Sequence, residues 1–173
     1  MYEQMEKELN FGYRKTGSFV LAFNEEENGK LDEIYHKGIK NGVEGLEIID
    51  GDKARQMEPH LSETVTKALY CENAGVTSPY EFVIALAENA IANGVEIKLN
   101  SEVTKIVQKE EYFEVEINQK EIIKSQYVIN SAGIYSDAIA KMAGIDEYDI
   151  HASRGQYIIL DKTQNNLANA VIF

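Results

Sequence analysis

Two small residues late in the chain could bring a ligand close to the backbone. Ala132 and Gly133 follow a short apolar run and precede a helical pattern, so they lie where a strand turns into a helix. Small side chains at such a turn let a large flat ligand approach closely, and the free N–H groups at a helix start suit phosphate. The same glycine could serve the turn alone, and the residues leave both interpretations open.

A second group, Arg154 and Gln156, could bind an anion. The two residues are two positions apart in a segment predicted to be extended, so they share one face of the strand. The planar fork of donors on arginine suits a phosphate or a carboxylate. We therefore expect a small anionic substrate as partner, with a structural ion pair of Arg154 as the alternative.

Other reactive side chains give weaker signals. His151 lies near Ser153 and Asp149, but the sequence has no G-x-S-x-G motif, and a catalytic triad needs residues that converge from different elements. No histidine or cysteine pair has the spacing of metal ligands, so no metal is predicted. The sequence assigns no catalytic residue.

Alternating predicted strands and helices position these groups. Tyr127 to Ile129 reads as a buried strand, and a helix follows from Ile134 to its stop at Gly144. Tyr157 to Leu160 reads as a further strand. The elements predicted upstream are helices at 25–41, 52–57 and 79–93 and strands at 17–23, 46–49, 67–72, 95–99, 103–107, 112–117 and 121–124.

These motifs together resemble the D-amino-acid-oxidase-type (DAO) superfamily of flavoproteins, and within it the FAD-dependent glycerol-3-phosphate dehydrogenases and 2-hydroxyacid oxidases. The family pattern N-x-[AT]-G-hydrophobic-aromatic-small is matched by Asn130, Ala132, Gly133, Ile134, Tyr135 and Ser136. The pattern R-G-[QE]-[YV] is matched by Arg154, Gly155, Gln156 and Tyr157. The two patterns in this order are a more specific signal than either alone.

The resemblance implies a fold and a cofactor. The fold is mixed α and β, the central fragment of a two-domain FAD-binding (glutathione-reductase-like Rossmann) oxidoreductase with mixed sheets and flanking helices. Residues 1–72 would belong to the substrate domain, residues 73–145 to the FAD domain (helix, meander, return strand, helix), and residues 146–173 to a second substrate-domain portion. FAD would lie near Val103, Ala132 and Gly133, with the backbone of Val103 at the adenine ring.

The resemblance also implies a reaction, the oxidation of glycerol 3-phosphate to dihydroxyacetone phosphate, with Arg154 and Gln156 at the substrate. A 2-hydroxyacid such as 2-hydroxyglutarate, or an amino acid, is the alternative substrate within the superfamily. An interaction module that keeps the fold without catalysis is an alternative from another class. The electron acceptor is not identified by the sequence.

One motif expected of a complete enzyme is absent from the sequence. FAD enzymes of this kind begin with a strand, G-x-G-x-x-G and a helix that binds the pyrophosphate. The nearest glycine cluster, Gly42 to Gly45, follows a helix and has the wrong spacing. We therefore expect the chain to be a fragment that, by itself, is inactive and holds no flavin.

Composition narrows the class of partner. The 173 residues include 29 acidic and 17 basic side chains, and the formal net charge of −12 disfavours nucleic acid. No run approaches the roughly 18 apolar residues of a membrane span, so no integral membrane segment is expected. Cys71 is the single cysteine, which excludes an intrachain disulfide. We expect a cytoplasmic protein, or one peripheral to a membrane in the complete enzyme.

Overall fold

The computed structural model describes residues 1–164 and 167–173, which form two compact units. The first unit comprises residues 1–95 and 159–173, and the second comprises residues 96–158. Helices and strands are numbered here in chain order. The helices of the first unit are α1 (Tyr2–Leu9), α2 (Glu25–Lys40), α3 (Gly51–Met57) and α4 (Pro79–Ala92). Its strands are β1 (Arg14–Lys15), β2 (Ser18–Ala22), β3 (Leu46–Asp50), β4 (Lys67–Cys71), β5 (Gly75–Val76) and β9 (Val171–Ile172).

A four-stranded mixed sheet forms the centre of the first unit, in the order β3-β4-β2-β9. Strand β4 pairs antiparallel with both β2 and β3, whereas β9 pairs parallel with β2. The short strands β1 and β5 form a separate antiparallel pair. The mixed α and β fold with mixed sheets and flanking helices is therefore confirmed.

Side-chain caps define where three helices of this unit begin, at or next to the predicted starts at residues 25, 52 and 79. The side chain of Asn24 accepts a hydrogen bond from the N–H of Glu27 at 3.0 Å, at the start of α2. The side chain of Asp50 caps α3 in the same way at 2.7 Å, and the hydroxyl of Ser78 caps α4 at 3.4 Å. Each cap satisfies an N–H group that has no partner inside its helix.

Helices cover both faces of the mixed sheet. Successive residues of a strand point to opposite faces, and the core is accordingly split into two clusters. One buried cluster contains Ala54 of α3 with Phe19, Ile49 and Ala68. The other contains Leu31 of α2 with Ala22 and Leu69.

The second unit contains the predicted meander. Its three antiparallel strands are β6 (Val103–Gln108), β7 (Phe113–Ile117) and β8 (Glu121–Ser125), paired in chain order. Asn118 and Gln119, in the turn between β7 and β8, both have positive φ angles, of 51° and 57°. A one-turn 3-10 helix (Gly133–Tyr135) and helix α5 (Ser136–Met142) follow.

Three predicted strands do not form, and these predictions are wrong. Residues 95–99, the return strand at 127–129 and residues 157–160 have no strand structure. Leu99, Ile129 and Ile159 are 80%, 89% and 94% exposed. A strand needs a neighbour for its backbone hydrogen bonds, and none of the strands in the described ranges pairs with these segments. The assignment of residues 1–72, 73–145 and 146–173 to substrate and FAD domains stays a prediction.

None of the helices in the described chain has the length and apolar character needed to cross a membrane.

Candidate functional site

The start of β6 carries an irregularity that sets the position of Val103. Val103 pairs with Ile117, but the register shifts between Val103 and Lys105, so Thr104 lies in a β-bulge. The Thr104 hydroxyl fills this bulge: it donates to Oε1 of Glu116 at 2.9 Å and accepts from the N–H of Gln119 at 3.2 Å. Bulges of this kind re-aim the residues beside them.

Asn130 holds the turn that contains Ala132 and Gly133. Its Nδ2 donates to the carbonyl of Ser136 at 2.7 Å, and its Oδ1 accepts from the N–H of Ala132 at 3.3 Å. The N–H of Tyr135 donates to the carbonyl of Ala132 at 3.1 Å. Two of the N–H groups expected to be free for phosphate are therefore used inside the turn, which corrects that prediction.

The backbone of Gly133 adopts a conformation that favours glycine. Its φ is +58°, in the left-handed region, and no atom lies within 4 Å of the place where a Cβ would be. A residue with a branched side chain would be strained here, although space exists to hold it. The conformation, rather than crowding within the chain, therefore selects glycine, and the backbone faces open space.

Val103 and Ala132 line the same depression of about 470 Å³ in the second unit. The other residues that line it are Ser101, Glu102, Tyr135, Ala138, Ile139 and Met142. The structure thus brings together two of the three residues predicted at the cofactor, and the third, Gly133, is the chain neighbour of Ala132.

Arg154 and Gln156 do not line this depression. Both are exposed, and they lie in a segment, 151–160, that has no helix or strand. The predicted strand does not form, so Arg154 and Gln156 have no shared strand face on which to build the predicted anion site. The role of these two residues at a substrate stays a prediction.

The chain just before Arg154 is fastened to α5 by contacts that the sequence analysis did not predict. Asp137 Oδ2 accepts from the N–H of Ile150 at 3.1 Å, and Lys141 Nζ donates to Asp149 Oδ1 at 2.7 Å. The N–H groups of Ile150 and Ala138 lower the pKa of Asp137, and Asp149 raises the pKa of Lys141. No motif signals these bonds, because they join residues up to 13 positions apart through a loop.

The same contacts bear on the hydrolase alternative. Asp149, which would orient His151 in a triad, is instead paired with Lys141. Within residues 1–164 and 167–173, no group of three histidine, cysteine, aspartate or glutamate side chains is placed to hold a metal ion.

The depression fits one part of a large aromatic cofactor. Its walls are mainly small or apolar side chains, and the left-handed glycine beside it leaves the backbone open to a ligand. Such a surface suits a flat ring system, which binds through apolar contact and close backbone approach. Because the N–H groups of Ala132 and Tyr135 are used inside the turn, the depression suits an aromatic ring better than a pyrophosphate.

The mixed sheet, the three-stranded meander and this depression match what is expected of a flavin-dependent oxidoreductase. Comparison with known families narrows the class. The family described as "DAO: FAD dependent oxidoreductase" matches residues 1–173. The chain therefore belongs to the DAO family of FAD-dependent oxidoreductases.

Individual relatives include two kinds of dehydrogenase. A glycerol 3-phosphate dehydrogenase of Caloramator mitchellensis is 41% identical over 173 residues, a match that covers 100% of this chain and 36% of the relative. A mitochondrial L-2-hydroxyglutarate dehydrogenase of Pongo abelii is 26% identical over 185 residues, covering 100% of this chain and 43% of the relative.

A solved structure of similar fold is that of L-alpha-glycerophosphate oxidase from Mycoplasma pneumoniae with FAD bound. It matches with a TM-score of 0.72 and 28% identity, over 80% of this chain and 38% of the oxidase. The chain thus spans less than half the length of each of these three proteins.

Proposed function

We propose that this chain forms part of a FAD-dependent enzyme that oxidises glycerol 3-phosphate to dihydroxyacetone phosphate. The observation that carries the proposal is the 41% identity, over the whole chain, to a glycerol 3-phosphate dehydrogenase. Membership of the DAO family supports FAD as the cofactor of the complete enzyme.

Each predicted site residue has a role in this proposal. Val103, Ala132 and Gly133 hold a ring of FAD by close backbone approach, a role supported by the depression that Val103 and Ala132 line. Arg154 and Gln156 bind the phosphate of the substrate, for which the guanidinium offers paired donors. The flavin, when bound, takes the hydride from the carbon that bears the hydroxyl. The base that accepts the hydroxyl proton is not assigned to this chain.

Exposed apolar segments support the proposal that this chain forms part of a larger enzyme. Helix α4 is apolar on nearly all sides, and its apolar residues Val83, Ile84 and Ile91 are exposed. A helix that is apolar all round is normally buried. The residues at 127–129 and 157–160 have strand-like sequences without strand neighbours in the described chain. We therefore expect the chain by itself to be inactive and colourless.

A 2-hydroxyacid is the second candidate substrate. The identity of 26% to an L-2-hydroxyglutarate dehydrogenase favours it over an amino acid, although that similarity is weaker than the one to the glycerol 3-phosphate enzyme. Both substrates carry a secondary hydroxyl and an anionic group, so the residues assigned above would serve either.

A substrate panel tests the proposal. The complete enzyme, purified with FAD, would be given an artificial electron acceptor and either glycerol 3-phosphate, L-2-hydroxyglutarate or glycerol. We expect oxidation of glycerol 3-phosphate with the highest kcat/KM and little oxidation of glycerol, which lacks the charge. A preference for L-2-hydroxyglutarate would establish the second candidate, and no oxidation of any of them would refute the proposed function.

A further inference from the structure

The beginning of α5 joins the two groups of residues that the proposed function places at the cofactor and at the substrate. The carbonyl of Ser136, the first residue of this helix, accepts two side-chain hydrogen bonds. One comes from Asn130 Nδ2 at 2.7 Å and the other from the Tyr148 hydroxyl at 3.3 Å. Asn130 also holds the turn at Ala132, whereas Tyr148 belongs to the loop that leads to Arg154. A single carbonyl therefore links the Ala132–Gly133 turn to the loop that leads to Arg154.

Asp137, the next residue, adds a second link to the same loop. Its Oδ2 accepts from the N–H of Ile150 at 3.1 Å, and its Oδ1 accepts from the N–H of Ala138 at 2.7 Å. Each oxygen of the carboxylate is thus engaged by one backbone donor. Carboxylate oxygens are strong acceptors, but these bonds are exposed to solvent, so the link contributes about as much as an ordinary hydrogen bond.

Lys141, one turn further along α5, contacts the same loop. Its Nζ lies 2.7 Å from Asp149 and 3.6 Å from Asp146. These contacts are exposed ion pairs, which are individually weak. We refer to the contacts of Ser136, Asp137 and Lys141 with Tyr148, Asp149 and Ile150 as the α5 clasp.

The α5 clasp determines how far Arg154 can move. Arg154 follows Ile150 by four residues, which span at most about 14 Å when fully extended. With Ile150 fastened to Asp137, the backbone of Arg154 can explore only the space within that reach. Without the fastening, residues 144–160 would be held less firmly, because residues 151–160 form no helix or strand.

We propose that Asp137 and Tyr148 are positioning residues that hold the Arg154 segment at a fixed place relative to the Ala132–Gly133 turn. This inference rests on the proposed function for the identity of the ligands, but the fastening itself is a property of the second unit. Neither residue touches substrate or cofactor in this proposal. Their effect on the reaction acts through the position of Arg154.

A matched set of variants separates the clasp from general effects of charge. Asp137→Ala removes both carboxylate bonds, and Asp137→Asn keeps an acceptor oxygen for the N–H of Ile150. Tyr148→Phe removes only the hydroxyl. Asp146→Ala is the control, because it removes a carboxylate from the same loop without touching the N–H of Ile150.

The first measurement uses this chain alone and requires no ligand. Hydrogen exchange of the Ile150 N–H, followed by NMR, should be faster by about fivefold or more in Asp137→Ala, the factor expected for one lost hydrogen bond. A nitroxide label at Ser153→Cys, in a Cys71→Ser background, should broaden α5 amide signals in the parent chain and less in Asp137→Ala. Unchanged exchange or unchanged broadening would overturn the fastening. If Asp137→Ala unfolds globally, the whole spectrum collapses. The same exchange and label measurements are then made on Tyr148→Phe and Asp137→Asn.

The second measurement uses the complete enzyme and addresses catalysis. Asp137→Ala should raise KM for glycerol 3-phosphate by about fivefold or more at unchanged FAD content, with Asp137→Asn recovering most of the loss. An Asp137→Ala enzyme with the KM of Asp146→Ala would overturn the positioning role. A wild-type enzyme that oxidises no glycerol 3-phosphate would instead refute the proposed function, and the exchange and label measurements would still decide the position of the Arg154 segment.

Discussion

Glu58 is the deepest charged group of the first unit, and its removal gives the sharpest prediction about stability. The residue follows α3 and is 2% exposed. Its Oε1 accepts from the N–H groups of Asn169 and Ala170 at 2.8 and 2.7 Å, and its Oε2 accepts from Asn169 Nδ2 at 3.3 Å. These three bonds tie the end of the chain to α3, just before β9 pairs with β2.

The expected loss of unfolding free energy depends on how the three hydrogen bonds divide between the two carboxylate oxygens of Glu58. Glu58→Leu removes all three and leaves two backbone donors without their acceptor, at about 1–3 kcal/mol for each donor that stays dry. Because Asn169 is exposed, water can replace part of the loss, and we expect about 3 kcal/mol of lost unfolding free energy. Glu58→Gln can keep the Oε1 pair and loses only the Oε2 bond, so we expect about 1 kcal/mol.

Asn169→Ala removes the same Oε2 bond from its other end. The double variant Glu58→Gln with Asn169→Ala should therefore lose little more than either single variant, and a double-mutant cycle measures this coupling. Urea unfolding can be followed by tyrosine fluorescence, since the chain has 10 tyrosines and no tryptophan. Glu63→Gln, at an exposed position, is the control. Equal stability of Glu58→Leu and the control, or full additivity in the cycle, would refute this account of Glu58.

Three further predictions concern the second unit. In the complete enzyme, Gly133→Val should lower FAD occupancy while the protein stays folded, because valine resists the positive φ and intrudes on the ligand; unchanged flavin content would remove Gly133 from the cofactor site. Arg154→Ala should raise KM for glycerol 3-phosphate about 30-fold, equivalent to about 2 kcal/mol, with Arg154→Lys intermediate and glycerol oxidation unaffected; equal losses with both substrates would make Arg154 structural. The hydrogen bonds of Asp137 lower its pKa, so their contribution to stability is present above the ordinary aspartate pKa and is lost as pH falls through the lowered pKa. Carboxyl carbon NMR during an acid titration should show the lowered pKa, and titration of Asp137 at the ordinary aspartate pKa would contradict it.

Local signals in the sequence were sufficient to predict most helices and the meander. The caps at Asn24, Asp50 and Ser78 lie within three residues of the N–H groups they bind, so the pattern needs no knowledge of the tertiary fold. The alternation at Phe113 to Ile117 likewise matches β7, which has strand neighbours on both sides.

Features that depend on distant partners could not be predicted in this way. The segments 95–99, 127–129 and 157–160 have the composition of strands, but composition cannot tell whether a neighbouring strand exists. The local sequence gives no sign of the role of Glu58, because its partners lie 111 and 112 residues away. The bond between Asp137 and Ile150 depends on a loop conformation that no motif encodes.

The role of the candidate site at a cofactor stays a prediction. The strand expected before residues 132–133 does not form, but the structure brings Val103 and Ala132 to one depression. The bulge at Thr104 was not expected, because a bulge is visible only once the register of β6 with β7 is known. The anion site at Arg154 and Gln156 stays a prediction.

Anaerobic reduction of the bound flavin tests the central proposal most directly, because it needs no knowledge of the electron acceptor. The complete enzyme, loaded with FAD and kept free of oxygen, would be mixed with glycerol 3-phosphate while the flavin absorbance is recorded. The proposed function predicts rapid bleaching by glycerol 3-phosphate and much slower bleaching by glycerol. Persistent flavin colour in the presence of glycerol 3-phosphate would contradict it.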